Sequence, residues 1–224
     1  MNRRKFLVAS SGAAPLAFLA ACSKDIPRTN FALAFSAGRH FNHPDNGRMS
    51  ISVQQVSTLN TPSGLLHAFE PLITFDGDPL PKRIEPGKYP VVLSIATANK
   101  KREDQRVACA KLQISSETAT TWEEVASTPY EKGTAGYADE ETVKNVRQRQ
   151  AGETKAFIEM LRTEMQRNHI ANWDWVDMAV DDMKTLNIVS FTTGWGRGEY
   201  KTYFGYTASG NLVEVVTDFM VLTA

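Results

Sequence analysis

Two cysteines in 224 residues, Cys22 and Cys109, exclude the disulfide framework that holds many small secreted domains together. An excess of either charge is also missing, since 25 basic residues face 25 acidic ones. A chain without a basic surplus lacks the electrostatic footprint of a nucleic-acid binder. Long apolar runs are absent too. The best candidate, Phe6 to Ala21, is interrupted by Ser10, Ser11, Gly12 and Pro15, and it falls short of the roughly 20 apolar residues that a membrane-spanning helix needs. Histidine is scarce: His40, His43, His67 and His169 are all there is. His40 and His43 stand three apart, but Gly38 and Pro44 flank them as loop residues and no third ligand is close. No Ser-His-Asp order and no Cys–His pair of recognisable spacing occurs. No metal, cofactor or catalytic constellation is therefore expected.

What is present begins with an address. Arg3, Arg4 and Lys5 give a cationic start, the broken apolar stretch follows, and small residues lead to Cys22. That is the three-part layout of a secretory signal, with residues 1–21 removed. Leu19-Ala20-Ala21-Cys22 resembles the lipobox of bacterial lipoproteins, which implies acylation of the Cys22 thiol. Arg3-Arg4-Lys5-Phe6-Leu7 resembles the twin-arginine export motif, the alternative being an ordinary basic start on the general secretory route. The expectation is a domain held by lipid on the exported, periplasmic face of a bacterial envelope membrane, inner or outer.

Cutting 21 residues from the 224 leaves 203, enough for one domain with a sizeable core. The removed segment takes three of the 25 basic residues and none of the 25 acids, leaving a net charge of −3. With Cys22 acylated, Cys109 has no partner. Its setting, Val107-Ala108-Cys109-Ala110, reads as a small buried hydrophobe.

Patterning predicts an α+β fold, mainly antiparallel sheet. Residues 22–48, with Pro27, Gly38, Pro44 and Gly47, read as a tether and lead-in to a single domain over 49–224. Strands are expected over Met49–Leu59, Leu65–Phe69, Pro90–Thr97 and Arg106–Ile114, the last two as a hairpin. Asp139 is a helix cap followed by Glu140 and Glu141, opening a helical insert near 139–168. Phe157, Met160, Leu161 and Met165 mark the apolar face of its second segment. Asn187–Thr193, Glu199–Tyr206 and Leu212–Leu222 predict a three-stranded meander.

Phe191-Thr192-Thr193-Gly194-Trp195-Gly196-Arg197-Gly198-Glu199-Tyr200, continued by Tyr203, Gly205, Gly210 and Asp218-Phe219, is similar to the signature of a bacterial family known as domain-of-unknown-function family 4241. Ser63-Gly64, Glu70-Pro71, Pro86 to Val91, Arg106-Val107-Ala108 and Trp122 to Ala126 resemble its earlier blocks, so the likeness runs from about residue 60 to 222. It implies one domain and no particular activity. This chain departs from the family pattern at acidic positions: Arg197 replaces an acid between glycines, Glu70 replaces an aspartate, and only the Gly-Thr core and Asp139 of a glycine-rich block survive in Glu131 to Asp139.

Trp195 and Arg197 are residue types enriched in binding hot spots. With Tyr200 and Tyr203 they form a candidate binding surface, unless Trp195 folds back as a lid on the core. Glu131, Asp139 and Asp218 are candidate acids; Asp218 stands in an apolar strand and needs a donor or a raised pKa, with Arg106 a possible partner. The expected function is a non-enzymatic binding module with a protein partner in the envelope, for instance of the immunity type. The alternative is a hydrolase that gathers Glu131, Asp139 and Asp218 in one cleft.

Overall fold

The computed structural model describes residues 29–99 and 104–222, so Arg3, Arg4 and Cys22 lie outside the described residues. In chain order the elements are α1 (Phe31–Ala34), β1 (His40–His43), β2 (Gly47–Thr61), β3 (Leu66–Phe69), β4 (Gly87–Ala98), β5 (Gln105–Gln113), β6 (Thr121–Tyr130) and β7 (Thr134–Asp139). They continue through α2 (Glu140–Arg147), α3 (Ala151–Arg167), β8 (Trp175–Ala179), β9 (Asn187–Thr192), β10 (Gly198–Tyr206) and β11 (Leu212–Asp218). All sheet pairings are antiparallel. Seven strands form a large sheet in the order β1-β2-β4-β5-β11-β10-β6, and four form a small one in the order β3-β7-β9-β8. The α+β, β-rich class is as the sequence predicts.

The layers follow from strand periodicity. Successive side chains point to opposite faces, so Tyr137, Val189 and Phe191 of the small sheet meet Leu93, Ile95, Leu112 and Val215 of the large one in the main core. Their neighbours Ala138 and Ile188 face the other way, against Val143 and Val146 of α2 and Phe157, Leu161 and Met165 of α3. The small sheet is thus a middle layer covered on both sides. A polar staple crosses the main core: the Tyr137 hydroxyl donates to the Ala110 carbonyl at 3.0 Å and meets Thr217 Oγ1 at 2.9 Å. A second one is Asn187, which donates to the Thr58 carbonyl and to Asp177 and accepts the Asn60 N–H.

Four expectations change. The C-terminal strands are not a meander: β9 lies in the small sheet between β7 and β8, and only β10 and β11 pair. Residues 193–197 carry the chain from one sheet to the other. The last strand ends at Asp218, where the Phe219 N–H leaves β11 to donate to the Ala108 carbonyl. In the lead-in, Thr29, Phe31 and Ala34 are already buried in the domain, and β1 is the first strand of the large sheet. His40 and His43 are therefore strand residues rather than loop residues. Finally, Met160 is exposed, because it lies one residue off the Phe157–Leu161–Met165 stripe.

Candidate functional site

The turn between β9 and β10 is held from several sides. Thr193 Oγ1 and the Tyr200 hydroxyl both donate to the Gly196 carbonyl, at 2.6 and 2.9 Å. Gly194 lies against the chain end, where an added Cβ would stand 2.4 Å from Val221 Cγ2. Gly196 has φ +91°, a left-handed conformation that glycine adopts without strain. With the backbone on both sides committed, the Trp195 side chain points outward and keeps 40% of its surface exposed. It is not a lid.

Two groups brace the indole. The His43 ring approaches it edge-on, centroids 5.4 Å apart and planes at 60°. The Arg106 guanidinium lies 5.1 Å from its centroid, a cation–π contact of about 0.5–1 kcal/mol at an exposed site. Arg106 is itself oriented by a 2.7 Å bond to Asp104. His43 Nδ1 accepts the N–H groups of Asp45 and Asn46, both at 3.1 Å, so in the neutral ring the proton resides on Nε2.

Beside Trp195, Arg197 pairs with Glu131 at 2.8 Å. These two residues, 66 positions apart in sequence, meet because their turns touch: the Thr193 N–H donates to the Gly133 carbonyl at 2.9 Å, and a Cβ on Gly133 would stand 2.8 Å from Gly196 Cα. Glu70 shapes the Gly133 turn. Its buried carboxylate accepts the N–H groups of Glu131, Lys132 and Thr134.

The three candidate acids do not meet. Glu131 precedes β7 and Asp139 ends it, separated by at least five strand steps of about 3.3 Å, roughly 17 Å. Asp139 is fully buried and caps α2 through the Glu141 N–H at 2.9 Å, while accepting the Ser63 hydroxyl and the Gly64 N–H at 2.8 and 3.0 Å. Asp218 faces Cys109 across β5 and β11, with the thiol donating at 3.8 Å and the Met220 N–H at 2.9 Å. Burial pushes the Asp218 carboxyl above its ordinary value and the Cys109 thiol well above its own. Arg106 is not its partner; it lies three positions from Cys109 along β5 and turns to Asp104 and Trp195.

Tyr200 and Tyr203 are also corrected. Tyr200 packs against Tyr130 and Phe219, and Tyr203 against Phe31 of α1, so both rings are core. Of the proposed binding residues, only Trp195 and Arg197 reach the surface, joined by His43, Asp104 and Arg106, which the sequence reading missed as a set.

A second pair also went unseen. His67 on β3 meets Glu140 at the start of α2 at 2.6 Å. Burial lowers the His67 pKa, the Glu140 contact opposing it. For Glu140, burial works toward the neutral acid, but the His67 bond and the nearby Lys144 and Arg147 charges outweigh it and lower the pKa. With His67 buried, the pair ties β3 to the helix layer. Among the described residues no group of three His, Cys, Asp or Glu is placed to hold a metal ion, and no helix is long and apolar enough to cross a membrane.

The fold is that of a β-rich domain built from two antiparallel sheets and a helical layer. The family model described as "Protein of unknown function (DUF4241)" matches residues 59–141 and 125–217, and the chain belongs to that family. No curated protein and no solved structure matches it.

Proposed function

We propose that this chain is an envelope lipoprotein whose domain binds a protein partner, without catalysis, through the Trp195 surface. The carrying observation is a half-exposed tryptophan fixed by a rigid turn and braced by Arg106 and His43. A large ring already immobilised before contact loses little entropy on binding, and Trp and Arg are among the residue types most enriched in interface hot spots. The Arg197–Glu131 pair places one charge of each sign at its rim.

The anchor reading rests on the sequence up to Cys22. Thr29 is already buried in the domain. Seven covalent steps at no more than about 3.6 Å each would hold the domain within roughly 25 Å of a lipid on Cys22. A partner would then be met close to the membrane surface.

The test uses the full chain, tagged and recovered from membranes. A partner retained by wild type and by Met183→Ala, at an exposed residue elsewhere, and lost by Trp195→Ala supports the reading. Equal recovery with all three refutes the assignment to Trp195. Membrane association that persists unchanged in Cys22→Ser refutes the anchor.

A further inference from the structure

A cleft of about 230 Å³ opens between α1 and the loop that joins β5 to β6. Its floor is a row across the large sheet. Gly205 of β10 lies opposite Glu214 on one side and Trp122 on the other. A Cβ on Gly205 would stand 2.6 Å from Glu214 Cγ and 2.9 Å from Trp122 Nε1. The missing side chain is what lets the indole N–H reach across the strand and donate to Glu214 Oε1 at 2.8 Å. Phe31 closes on the same indole edge-on, centroids 5.7 Å apart.

Lys111 completes the wall. Its side chain is only 15% exposed and its Nζ lies 4.4 Å from the centroid of the Phe35 ring. The Glu214 carboxylate stands 3.4 Å away as its ion-pair partner. An ammonium carries three donors, and Glu214 is the single acceptor group facing it among the described residues, which leaves two donors unspent. A nearly buried lysine with unspent donors, lining a cleft, calls for an oxygen acceptor. Glu214 at close range cancels its charge, so a full anion would meet the carboxylate as well as the ammonium. The hydroxyls of Ser115, Ser116 and Thr118 add both donors and acceptors around the rim.

We infer that this cleft binds a neutral polyhydroxylated ring, one sugar unit, with its C–H face on the Trp122 side and a hydroxyl accepting from Lys111. Aromatic walls with a few converging polar groups are the general form of a small-ligand site, and the volume suits a single ring rather than a chain. The site stands independently of the Trp195 surface.

The test follows the Trp122 indole N–H resonance of the full chain during titration with glucose and N-acetylglucosamine, with glucuronate as the anionic control. A saturable shift with either neutral sugar is expected, weaker with glucuronate. Lys111→Met should weaken binding about tenfold through loss of a charged donor, and Gly205→Ala should abolish it by displacing Trp122. Ser116→Ala, at an exposed position that does not threaten folding, should weaken it several-fold, and Trp195→Ala should leave it unchanged. No saturable shift with either neutral sugar overturns the inference. Tighter binding of glucuronate, or wild-type affinity in both Lys111→Met and Ser116→Ala, overturns it equally.

Discussion

Asp139 is where a catalytic and a structural reading of the same carboxylate part most cleanly. It is fully buried and accepts from the Glu141 N–H, the Ser63 N–H and hydroxyl, and the Gly64 N–H. Asp139→Ala removes a helix cap, about 1 kcal/mol. It also orphans the Ser63 and Gly64 donors, at about 1–3 kcal/mol for each group left buried and unpaired. Partial relaxation of the Ser63 loop offsets some of this, so the expected loss is about 3–4 kcal/mol. With a urea dependence of about 1–3 kcal/mol per molar, the unfolding midpoint should fall by more than about 1 M. Asp139→Asn should be nearly as damaging: its amide oxygen still caps α2, but its NH2 group is turned on Ser63 and Gly64, which are themselves donors. Urea unfolding followed by far-UV circular dichroism reads all three proteins. A midpoint in Asp139→Ala within about 0.3 M of wild type would refute the reasoning, since the carboxylate would then hold nothing in place.

Other consequences are as direct. Because burial raises the Asp218 pKa, the folded chain holds that proton more tightly than the unfolded one, and this group's contribution to stability falls as pH rises from the unfolded toward the folded value. Asp218→Asn should remove that slope and match or exceed wild type at neutral pH; an unchanged slope in thermal unfolding between about pH 4 and 8 counts against it. Gly194→Ala forces a methyl onto Val221 and the Phe219 carbonyl, costing about 1–3 kcal/mol; a variant as stable as wild type would show that the turn is free to move. Arg197→Ala breaks an exposed ion pair and should change stability by less than about 1 kcal/mol, so a larger loss in the same assay would make that contact structural.

Much of the architecture was legible locally. Asp139 with Glu140 and Glu141 announces a helix start, and the Phe157–Leu161–Met165 stripe announces its buried face. Strands β2, β4 and β5 alternate or run apolar over their lengths, and they were found within a few residues of their ends. Strand β7 was not found. Thr134-Ala135-Gly136-Tyr137-Ala138-Asp139 is buried at every position, and a strand covered on both faces has no polar side to give it a period of two. Strand β6 was missed for the opposite reason: as the edge of the large sheet it keeps Glu123, Glu124, Ser127 and Thr128 half or wholly exposed and carries too little apolar signal.

The candidate site divides along the same line. Composition and order by themselves determined the antiparallel α+β class, the Asp139 helix cap, and Trp195 as a residue at a turn, because each depends on neighbours a few positions away. Tertiary structure alone decided that β9 leaves β10 for another sheet, that Tyr200 and Tyr203 are core, and that Glu131, Asp139 and Asp218 stay apart. It also decided that His43, Arg106 and Trp195 come together. Those contacts join strands separated by up to about 150 residues, and which partner a strand takes is set by burial of whole faces, a property no local stretch of chain carries.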